Sequence, residues 1–310
     1  MTASEIKNKK ILITGAAGFI GSHLSNRLAR DNHVTGVDNL RSGTWDRVNP
    51  IIERVEADLS TISDSGWKDL LKDTDVVFHL AAEKHNSSLT SPDKLINTNI
   101  AGTDRLFRNA GQVGVRDVVF SSSLYVYPKT TSIGFSESDH LSPHTLYGIT
   151  KLFGELNLKH HADEFNFNWH CPRFFFIYGP GQFSEGGYKS VIVKNFENSK
   201  LGLAMEIYGS GQQSLDYFYI DDLIDLLETI PTFGFSTKIF NVSSGKGISI
   251  QNLIGVMQDL TENRKVSYAP SDNTEGTHRF GKNLVLSDLF EHIGQTSINE
   301  GLKKTWEYYR

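Results

Sequence analysis

Three glycines at intervals of three residues follow the first apolar strand of the chain, in the stretch ITGAAGFIG. Gly15, Gly18 and Gly21 separate the predicted strand Ile11–Thr14 from an apolar helix. A backbone without Cβ atoms can approach an anion closely, and the N-terminus of a helix favours negative charge. The spacing G-x-x-G-x-x-G is a variant of the dinucleotide fingerprint G-x-G-x-x-G. It predicts a strand–loop–helix unit that binds the pyrophosphate of a cofactor.

An acidic residue stands where such a unit would hold the adenosine ribose. Asp38 lies 20 residues after Gly18, at the end of the second predicted strand, Val34–Val37. A carboxylate at this position can accept hydrogen bonds from both ribose hydroxyls and repels a 2′-phosphate. The sequence therefore predicts NAD rather than NADP. Arg41 is an opposing signal, because a nearby arginine can accommodate the extra phosphate.

Short apolar runs alternate with helical patterns throughout the first half of the chain. The predicted strands are Ile11–Thr14, Val34–Val37, Val76–Leu80 and Val118–Ser121. This alternation predicts an α/β fold with a Rossmann-type, doubly wound parallel sheet. A further apolar run, Arg173–Tyr178, ends in Gly179-Pro180-Gly181, and the pattern loosens after this break. We expect an NAD-binding domain at residues 1–175 and a smaller α/β substrate domain at residues 176–310, which is discontinuous because some of its segments return to the first domain.

Composition narrows the classes of partner. The chain has 310 residues and a formal net charge of −5, with both signs interspersed, which argues against nucleic-acid binding. Its single cysteine, Cys171, excludes an internal disulfide and fits a reducing compartment. The polar N-terminus does not resemble a signal peptide, and no apolar run approaches the roughly 20 residues that span a bilayer. We therefore expect a cytoplasmic protein with no nucleic-acid or membrane partner.

Tyr147 and Lys151 are four residues apart, so they share one face of a predicted helix. A nearby ammonium group and the positive charge of an oxidised nicotinamide both favour the phenolate. Such a tyrosine can remove a proton from a sugar hydroxyl while hydride leaves the same carbon. The pattern Y-x-x-x-K also describes a simple surface pair, and it occurs again at Tyr125 and Lys129. There Pro128 interrupts the helix, so only the first pair is predicted to be functional.

Two further groups of polar residues are candidates for substrate contact and for metal binding. Ser121–Ser123 follow a predicted strand, and ligands of open α/β sheets bind beyond the carboxyl ends of strands, so a hydroxyl there can contact a reacting oxygen. A solvated serine loop is the alternative. His160, His161, His170 and Cys171 are candidate metal ligands, but their spacing fits no common zinc site, and no metal is predicted.

Taken together, the motifs resemble the extended short-chain dehydrogenase/reductase family. They are TGAAGFIG, VDNL, ADL, FHLAA, NTNIAGT, FSSSLYVY, YGITK, YGPGQ and YIDDLIDL, in this order. The resemblance runs from Lys10 to the terminal INEGLKKTWEYYR and is to the nucleotide-sugar epimerase and dehydratase branch, especially the UDP-glucose/galactose 4-epimerases.

The resemblance implies a bound NAD, a nucleotide-sugar substrate and a homodimer formed through helices around Ile100–Ala110 and Gly148–Lys159. It implies a catalytic set of Ser123, Tyr147 and Lys151. It places Gly15, Gly18 and Gly21 at the pyrophosphate, Asp38 at the ribose, Asp58 and Leu59 at the adenine, Leu80, Ala81, Ala82 and Asn99 along the groove, and Lys84 and Lys151 towards the nicotinamide. The other residues of the cofactor site that it implies are Phe19, Ile20, Asn39, Ser121 and Tyr147.

The resemblance also favours one reaction. The 4,6-dehydratases of the family usually carry an acidic residue directly after the catalytic serine or threonine, and here Leu124 stands there. Leucine cannot protonate a leaving hydroxyl, so the expected reaction is C4 epimerisation through a 4-keto sugar, with Tyr147 as acid and base. Glu83 is a candidate alternative acid or base, which keeps dehydration open, as well as sugar or carbonyl oxidoreduction. A non-catalytic NAD-binding regulator is the third hypothesis, against which the intact catalytic set argues.

The chain departs from the family pattern at several positions. Phe176 replaces a usual asparagine, Leu215 replaces a usual arginine, Pro128 replaces a usual glycine, and Ser271–Thr277 lacks an arginine often found there. The missing arginines are those expected to hold the nucleotide diphosphate. The candidate substrate-binding residues are Lys84, Ser123, Phe176, Lys189, Lys194 and Arg279, of which the last three are possible replacements for the arginines.

Overall fold

The structure is a computed structural model that describes residues 6–182, 189–272, 274–282, 284–289, 294 and 296–310. Its strands are β1 Lys10–Thr14, β2 His33–Asp38, β3 Glu53–Glu56, β4 Val76–His79, β5 Asp117–Phe120, β6 Ser122–Ser123, β7 Asn168–Phe174, β8 Phe176–Tyr178, β9 Met205–Tyr208, β10 Ser214–Tyr219, β11 Lys238–Val242, β12 Gly247–Ser249, β13 Val266–Ala269 and β14 His278–Arg279.

Half of these strands are followed in the chain by an α-helix. The helices are α1 Phe19–Leu28, α2 Asp64–Leu70, α3 Ser87–Thr90, α4 Pro92–Ile96, α5 Thr103–Val113, α6 Leu146–Phe165, α7 Val191–Lys200, α8 Ile220–Thr229, α9 Ile250–Thr261, α10 Leu284–Leu289 and α11 Ile298–Tyr309. A π-helical segment, Asn97–Gly102, joins α4 to α5. None of the helices in the described part of the chain is long and apolar enough to cross a membrane.

The main sheet has the strand order β11-β7-β5-β4-β1-β2-β3, with β6 also paired to β7. The strands from β3 to β7 pair in parallel. The order reverses at β1, which lies between β2 and β4, so the carboxyl end of β1 is the switch point at which doubly wound sheets bind ligands. The glycine loop begins there. The predicted α/β fold class is confirmed.

The central strands are buried along almost their whole length. Ile11–Ile13 of β1 and Val76–Phe78 of β4 are at most 2% exposed. Continuous burial is expected when helices cover both faces of a parallel sheet, and it explains why these strands read as unbroken apolar runs. Burying one such side chain fully contributes about 1.5–3 kcal/mol, so the core keeps the strand ends, and therefore the loops at the switch point, in place.

The chain forms two units, whose segments alternate along the sequence. The first comprises the described residues of Met1–Pro128, His140–Phe174 and Ile224–Phe240, and the second those of Lys129–Asp139, Phe175–Leu223 and Asn241–Arg310. The second unit contains a sheet of order β12-β10-β14, in which β10 also pairs with β8, and a parallel pair of β13 and β9. The apolar run Arg173–Tyr178, predicted as one element, is divided between β7 and β8.

Candidate active site

The glycine loop has no room for side chains at two of its three glycines. Gly15 has φ +74°, and a Cβ there would lie 2.7 Å from the backbone nitrogen of Ala81. A Cβ on Gly21 would lie 1.9 Å from the carbonyl oxygen of Gly15. Gly18 is the N-cap of α1 and provides no side-chain cap. The amides of the first turn of α1 are therefore left to a ligand or to water, as a phosphate site requires.

Asp38 ends β2 beside this loop and is 9% exposed. Its Oδ2 accepts a hydrogen bond from the Ala17 amide at 3.0 Å, and its Oδ1 accepts one from the Leu40 amide at 2.8 Å. Burial raises the pKa of Asp38, and backbone hydrogen bonds from Leu40, Ala17 and Asn39 oppose the rise. A carboxylate has about four acceptor positions, so these bonds leave capacity for a hydroxyl donor. This acceptor set, together with the uncapped glycine loop, fits the ribose and pyrophosphate of NAD.

Asn39 and Asp58 meet at the ends of β2 and β3. The Asn39 amide donates to Oδ2 of Asp58 at 3.0 Å, and Oδ1 of Asp58 accepts from the amide and the hydroxyl of Ser60 at 3.0 and 2.6 Å. Burial works against the charge of Asp58, but the bonds from Ser60 and Asn39 and the charge of Lys94 hold its pKa below the ordinary range. Leu59 is buried beside them. The sequence-predicted adenosine-side residues are thus close together.

Asn99 fixes the loop that follows β4. It lies in the π-helical segment, accepts from the Glu83 amide at 2.8 Å, and donates to the Glu83 carbonyl at 3.1 Å and to Thr150 Oγ1 at 3.2 Å. The described contacts of Asn99 therefore hold the loop from Leu80 to Glu83 against α6. Such π segments often occur at functional sites. Asn99 supports the wall of the predicted cofactor groove.

Ser123, Tyr147 and Lys151 are brought together by two elements. Thr145 caps α6 by accepting from the Gly148 amide at 3.0 Å, so Tyr147 lies in the first helical turn. The side chains of Ser123 and Tyr147 are hydrogen-bonded. Lys151 Nζ lies 5.7 Å from the centre of the Tyr147 ring and donates to the carbonyl of Ser121 at 2.7 Å. The predicted catalytic set is thus an assembled group.

Burial disfavours the charged forms of both ionisable groups of this set, the Tyr147 phenol and the Lys151 amine. It raises the pKa of the Tyr147 phenol well above its ordinary value, which the hydrogen bond from Ser123 only partly offsets. It lowers the pKa of Lys151 to about 8, while Cys171 and Glu155 act in the opposite direction. Without a further positive charge Tyr147 is therefore protonated at neutral pH. A base at this position needs a cation beside it.

The structure reveals a buried ion pair behind the serine run that the sequence analysis missed. Arg173 is bonded to both carboxylate oxygens of Glu155, at 2.8 and 2.7 Å, and donates to the hydroxyl of Tyr127 at 2.8 Å. Ser122 donates to Glu155 Oε1 at 2.5 Å. The pair thereby anchors the segment whose two flanking serines contact Lys151 and Tyr147. Neither segment of the sequence carries a signal for this pairing.

Aromatic and imidazole rings surround Tyr147 and were also missed. The ring of His85 stacks on that of Tyr125 at 4.7 Å and lies edge-on to that of Tyr147 at 6.4 Å. Tyr125 in turn lies edge-on to Tyr147 at 5.7 Å and 6.0 Å from the ring of His144. The amide of Tyr147 donates to Ser88 Oγ at 3.1 Å, which ties the turn after Lys84 to α6. The position of His85 directly after Lys84 was the available signal.

Glu83 is engaged by several partners, which argues against a free acid or base. Its Oε2 lies 2.5 Å from Arg41 Nη1 and accepts from the Ser87 hydroxyl at 3.0 Å, and its Oε1 lies 3.6 Å from Lys94 Nζ. The Arg41 guanidinium, considered above as a partner of a 2′-phosphate, is therefore bound to Glu83. This pairing removes the signal that opposed NAD as the cofactor.

The remaining candidate substrate residues lie in the second unit. Lys189 pairs with Glu197 at 2.6 Å, and Lys194 pairs with Glu206. Phe176 is half-buried, with its ring 5.9 Å from that of Tyr217. Arg279 is 4% exposed and donates to the Lys129 carbonyl at 3.1 Å. In the pairing of β10 and β14, Arg279 lies directly beside Leu215, the position where the family pattern has an arginine.

The three histidines that are candidate metal ligands lie in two separate parts of the structure. His160 and His161 lie with Glu164, their potential ligand atoms within 4.8 Å of one another, and His161 Nε2 lies 3.0 Å from Asp104 Oδ1. His170 is buried elsewhere, with Nδ1 2.9 Å from Thr237 Oγ1. These contacts account for the rings as hydrogen-bonded and ion-paired groups. The absence of a metal stays a prediction.

Several known proteins resemble this chain over nearly its whole length. The model of the NAD dependent epimerase/dehydratase family matches residues 11–243. The UDP-glucose 4-epimerase of Mycolicibacterium smegmatis is 30% identical over 97% of this chain and 98% of its own. The UDP-N-acetylglucosamine 4-epimerase of Methanobrevibacter ruminantium, solved with UDP-N-acetylmuramic acid, has a TM-score of 0.90 and 28% identity, covering 98% of this chain and 99% of its own.

A second solved structure extends this likeness. The UDP-glucose 4-epimerase of Thermotoga maritima, solved with UDP-glucose, has a TM-score of 0.88 and 27% identity, covering 97% of this chain and 98% of its own. These likenesses span nearly the whole length of each protein. The chain therefore belongs to the NAD-dependent epimerase/dehydratase family.

Proposed function

We propose that the protein is a nucleotide-sugar 4-epimerase, acting on a UDP-sugar, with Tyr147 as acid and base, Ser123 as its hydrogen-bond partner and Lys151 as the neighbouring cation. The observation that carries the proposal is the assembly of these three side chains beyond the carboxyl ends of β5 and β6, behind which Leu124 is buried. We assign NAD binding to residues 1–175, without the segment Lys129–Asp139, and substrate binding to residues 176–310, without the segment Ile224–Phe240. Gly15–Gly21, Asp38, Asn39, Asp58 and the groove from Leu80 to Lys84 hold the cofactor.

The side chains divide the chemistry among them. NAD, when bound, supplies the acceptor and donor of hydride and a positive ring. Tyr147 takes the proton of the sugar 4-hydroxyl and later returns it, and Ser123 holds the phenol oxygen in place. Lys151, fixed by the Ser121 carbonyl, lies close enough to favour the phenolate. Leu124 offers no proton to a hydroxyl leaving from a neighbouring carbon, so the 4-keto sugar keeps its substituents and only C4 changes configuration.

Arg279 is our candidate for the missing diphosphate ligand. The family pattern has an arginine at the position of Leu215 on β10, and Arg279 lies beside that position on the neighbouring strand β14. Directly paired residues of parallel strands lie on the same face of a sheet, so the guanidinium of Arg279 starts from the same face as the usual arginine. Lys189 and Lys194 are less suitable, because each forms an ion pair with a glutamate of its own unit. A charge-assisted bond from Arg279 to the diphosphate would contribute about 1.5–3 kcal/mol.

We also propose a homodimer formed through α5 and α6, in a cytoplasmic enzyme of carbohydrate biosynthesis. Ile149 and Leu156, seven residues apart on α6, are 49% and 64% exposed, and Val113 at the end of α5 is 37% exposed. Residues seven apart share a helix face, so α6 presents an apolar stripe of the kind that a subunit interface covers.

A substrate panel tests the proposed reaction. The purified protein is incubated with UDP-, GDP-, dTDP- and CDP-sugars, and the products are identified by NMR. A C4 stereoisomer is expected, and the Tyr147→Phe variant should lose at least a few hundredfold in turnover. A keto-deoxy sugar or net formation of NADH would contradict the epimerase and show dehydration or oxidation. Full activity of the Tyr147→Phe variant would contradict the assigned acid and base.

A further inference from the structure

We propose that Arg41 and Glu83 form a clasp across the mouth of the glycine loop that retains the bound dinucleotide. The clasp is the ion pair between Arg41 Nη1 and Glu83 Oε2, 2.5 Å apart. The inference rests on the proposed assignment of the glycine loop and Asp38 to NAD, and it does not depend on which sugar is the substrate. It gives Glu83 a binding role in place of the acid–base role considered from the sequence.

The topology of the sheet places the two residues on opposite sides of the loop. β1 pairs with β2 on one side and with β4 on the other, and Thr14, the last residue of β1, is level with Val37 and His79. Arg41 is in the loop that leaves β2, and Glu83 is in the loop that leaves β4. A contact between these two loops must therefore pass in front of the carboxyl end of β1, where the glycine loop begins.

One side of the clasp is fixed and the other is exposed. The Glu83 side chain is only 7% exposed and accepts from the Ser87 hydroxyl, while its backbone exchanges two hydrogen bonds with Asn99. The Arg41 side chain is 40% exposed and projects from a short loop after Asp38. We therefore expect the arginine to move when the cofactor enters or leaves, with Glu83 as its fixed anchor.

Lys94 links the clasp to Asp58, on the adenosine side of the predicted groove. Lys94 Nζ lies 3.6 Å from Glu83 Oε1 and 4.0 Å from Asp58 Oδ2, so two cations share the two carboxylates. An ion pair with one buried partner is screened less by solvent than a fully exposed pair. Breaking the clasp by removing either partner should therefore speed the escape of the dinucleotide, whose diphosphate would lie on the glycine loop behind it.

Exchange of labelled NAD tests the clasp without any measurement of turnover. The holoenzyme is loaded with radiolabelled NAD and chased with excess unlabelled NAD, using wild type, Arg41→Gln, Glu83→Gln and the double variant. Each single variant is expected to release NAD at least tenfold faster, and the double variant no faster than the singles, because both remove one shared contact. Arg27→Gln is the matched control, since it removes an ion pair of α1 to Asp225 and Glu228, and its exchange rate should equal that of wild type.

Several outcomes would overturn the clasp. Effects of the two single variants that multiply in the double variant would mean that Arg41 and Glu83 act independently, as they would if Arg41 simply bound the diphosphate. Unchanged or slower release of NAD from Glu83→Gln would also overturn the clasp. So would Arg27→Gln, if it accelerated the release of NAD as much as the clasp variants do. If a single variant does not fold, the charge-reversed pair Arg41→Glu with Glu83→Arg replaces it, and slow release from that protein supports the clasp while fast release refutes it.

The same measurement separates this inference from the function on which it rests. A wild-type protein that binds no NAD in the labelling step contradicts the proposed cofactor assignment itself. A wild-type protein that binds NAD, with single variants that release it at the wild-type rate, contradicts only the clasp.

Discussion

His79 makes the stability of the first unit depend on pH, in a direction that can be worked out from its surroundings. It is the last residue of β4 and is fully buried, with Nδ1 2.7 Å from Thr14 Oγ1 and Nε2 2.9 Å from Thr103 Oγ1. Burial, aided by the charge of Lys151, lowers the pKa of His79 from 6.5 to about 3. The imidazole is therefore neutral in the folded protein and must take up a proton when the chain unfolds in acid.

The sign and size of the effect follow from this difference in pKa. Above pH 6.5 His79 is neutral in both states and contributes no pH dependence. As the pH falls from 6.5 towards 3, the unfolded chain binds the proton first, so folding loses stability by about 1.4 kcal/mol per pH unit. Over the whole window of about 3.5 pH units the loss is about 5 kcal/mol, comparable to the total stability of many domains.

Denaturant unfolding of wild type and His79→Gln, measured between pH 7 and pH 4, tests this reasoning. The glutamine variant is less stable at pH 7, but the difference between the two free energies of unfolding should shrink as the pH falls, at the slope given above. His160→Gln, at a side chain that is 68% exposed, is the control and should parallel wild type. Parallel curves for wild type and His79→Gln would refute the assigned burial cost.

Four further predictions concern the site and its assembly. Glu155→Gln, by leaving Arg173 buried without its carboxylate partner, should cost about 3–5 kcal/mol in urea unfolding; a loss below 1 kcal/mol would contradict the role of the pair. Gly21→Ala should weaken NAD binding, measured by calorimetry, at least tenfold, because the new Cβ would meet a carbonyl oxygen 1.9 Å away; unchanged affinity would refute the close approach. Arg279→Gln should raise KM for the nucleotide sugar about tenfold or more, with little change for Lys189→Gln, and equal effects would remove Arg279 from the diphosphate site. Leu156→Glu should convert the dimer to a monomer in light scattering, and an unchanged mass would place the interface elsewhere.

The parts of the fold that depend on local patterns could be predicted from the sequence. The burial of β1 and β4 produces the unbroken apolar runs that predicted them. Local features of the same kind are α11, whose residues have an amphipathic pattern, and the cap of α9, where Ser249 accepts from the Asn252 amide at 3.1 Å directly before an apolar run. In each case residues close in sequence determine the feature.

The parts that depend on pairing between distant segments could not be predicted. Arg173 and Glu155 lie on β7 and α6, and nothing in either segment alone says that the two charges meet in the core. Leu215 and Arg279 are adjacent only because β14 pairs with β10 in a particular register. The sequence shows that an arginine is missing at one position and present at another, but only the register shows that they are neighbours.

The site contains a conflict between burial and chemistry that the cofactor can resolve. Burial keeps the Tyr147 phenol protonated, while Lys151, whose pKa is lowered to about 8, stays mostly charged at neutral pH. Each unit by which the phenol pKa is lowered requires about 1.4 kcal/mol of added favourable interaction with its charged form. Ser123 supplies part of this, and a cation in the groove beside Tyr147 can supply the rest. A base that becomes effective only beside an oxidised nicotinamide does not deprotonate a sugar when no hydride acceptor is present. For this reason a tyrosine that stays protonated without the cofactor suits this reaction better than an exposed one.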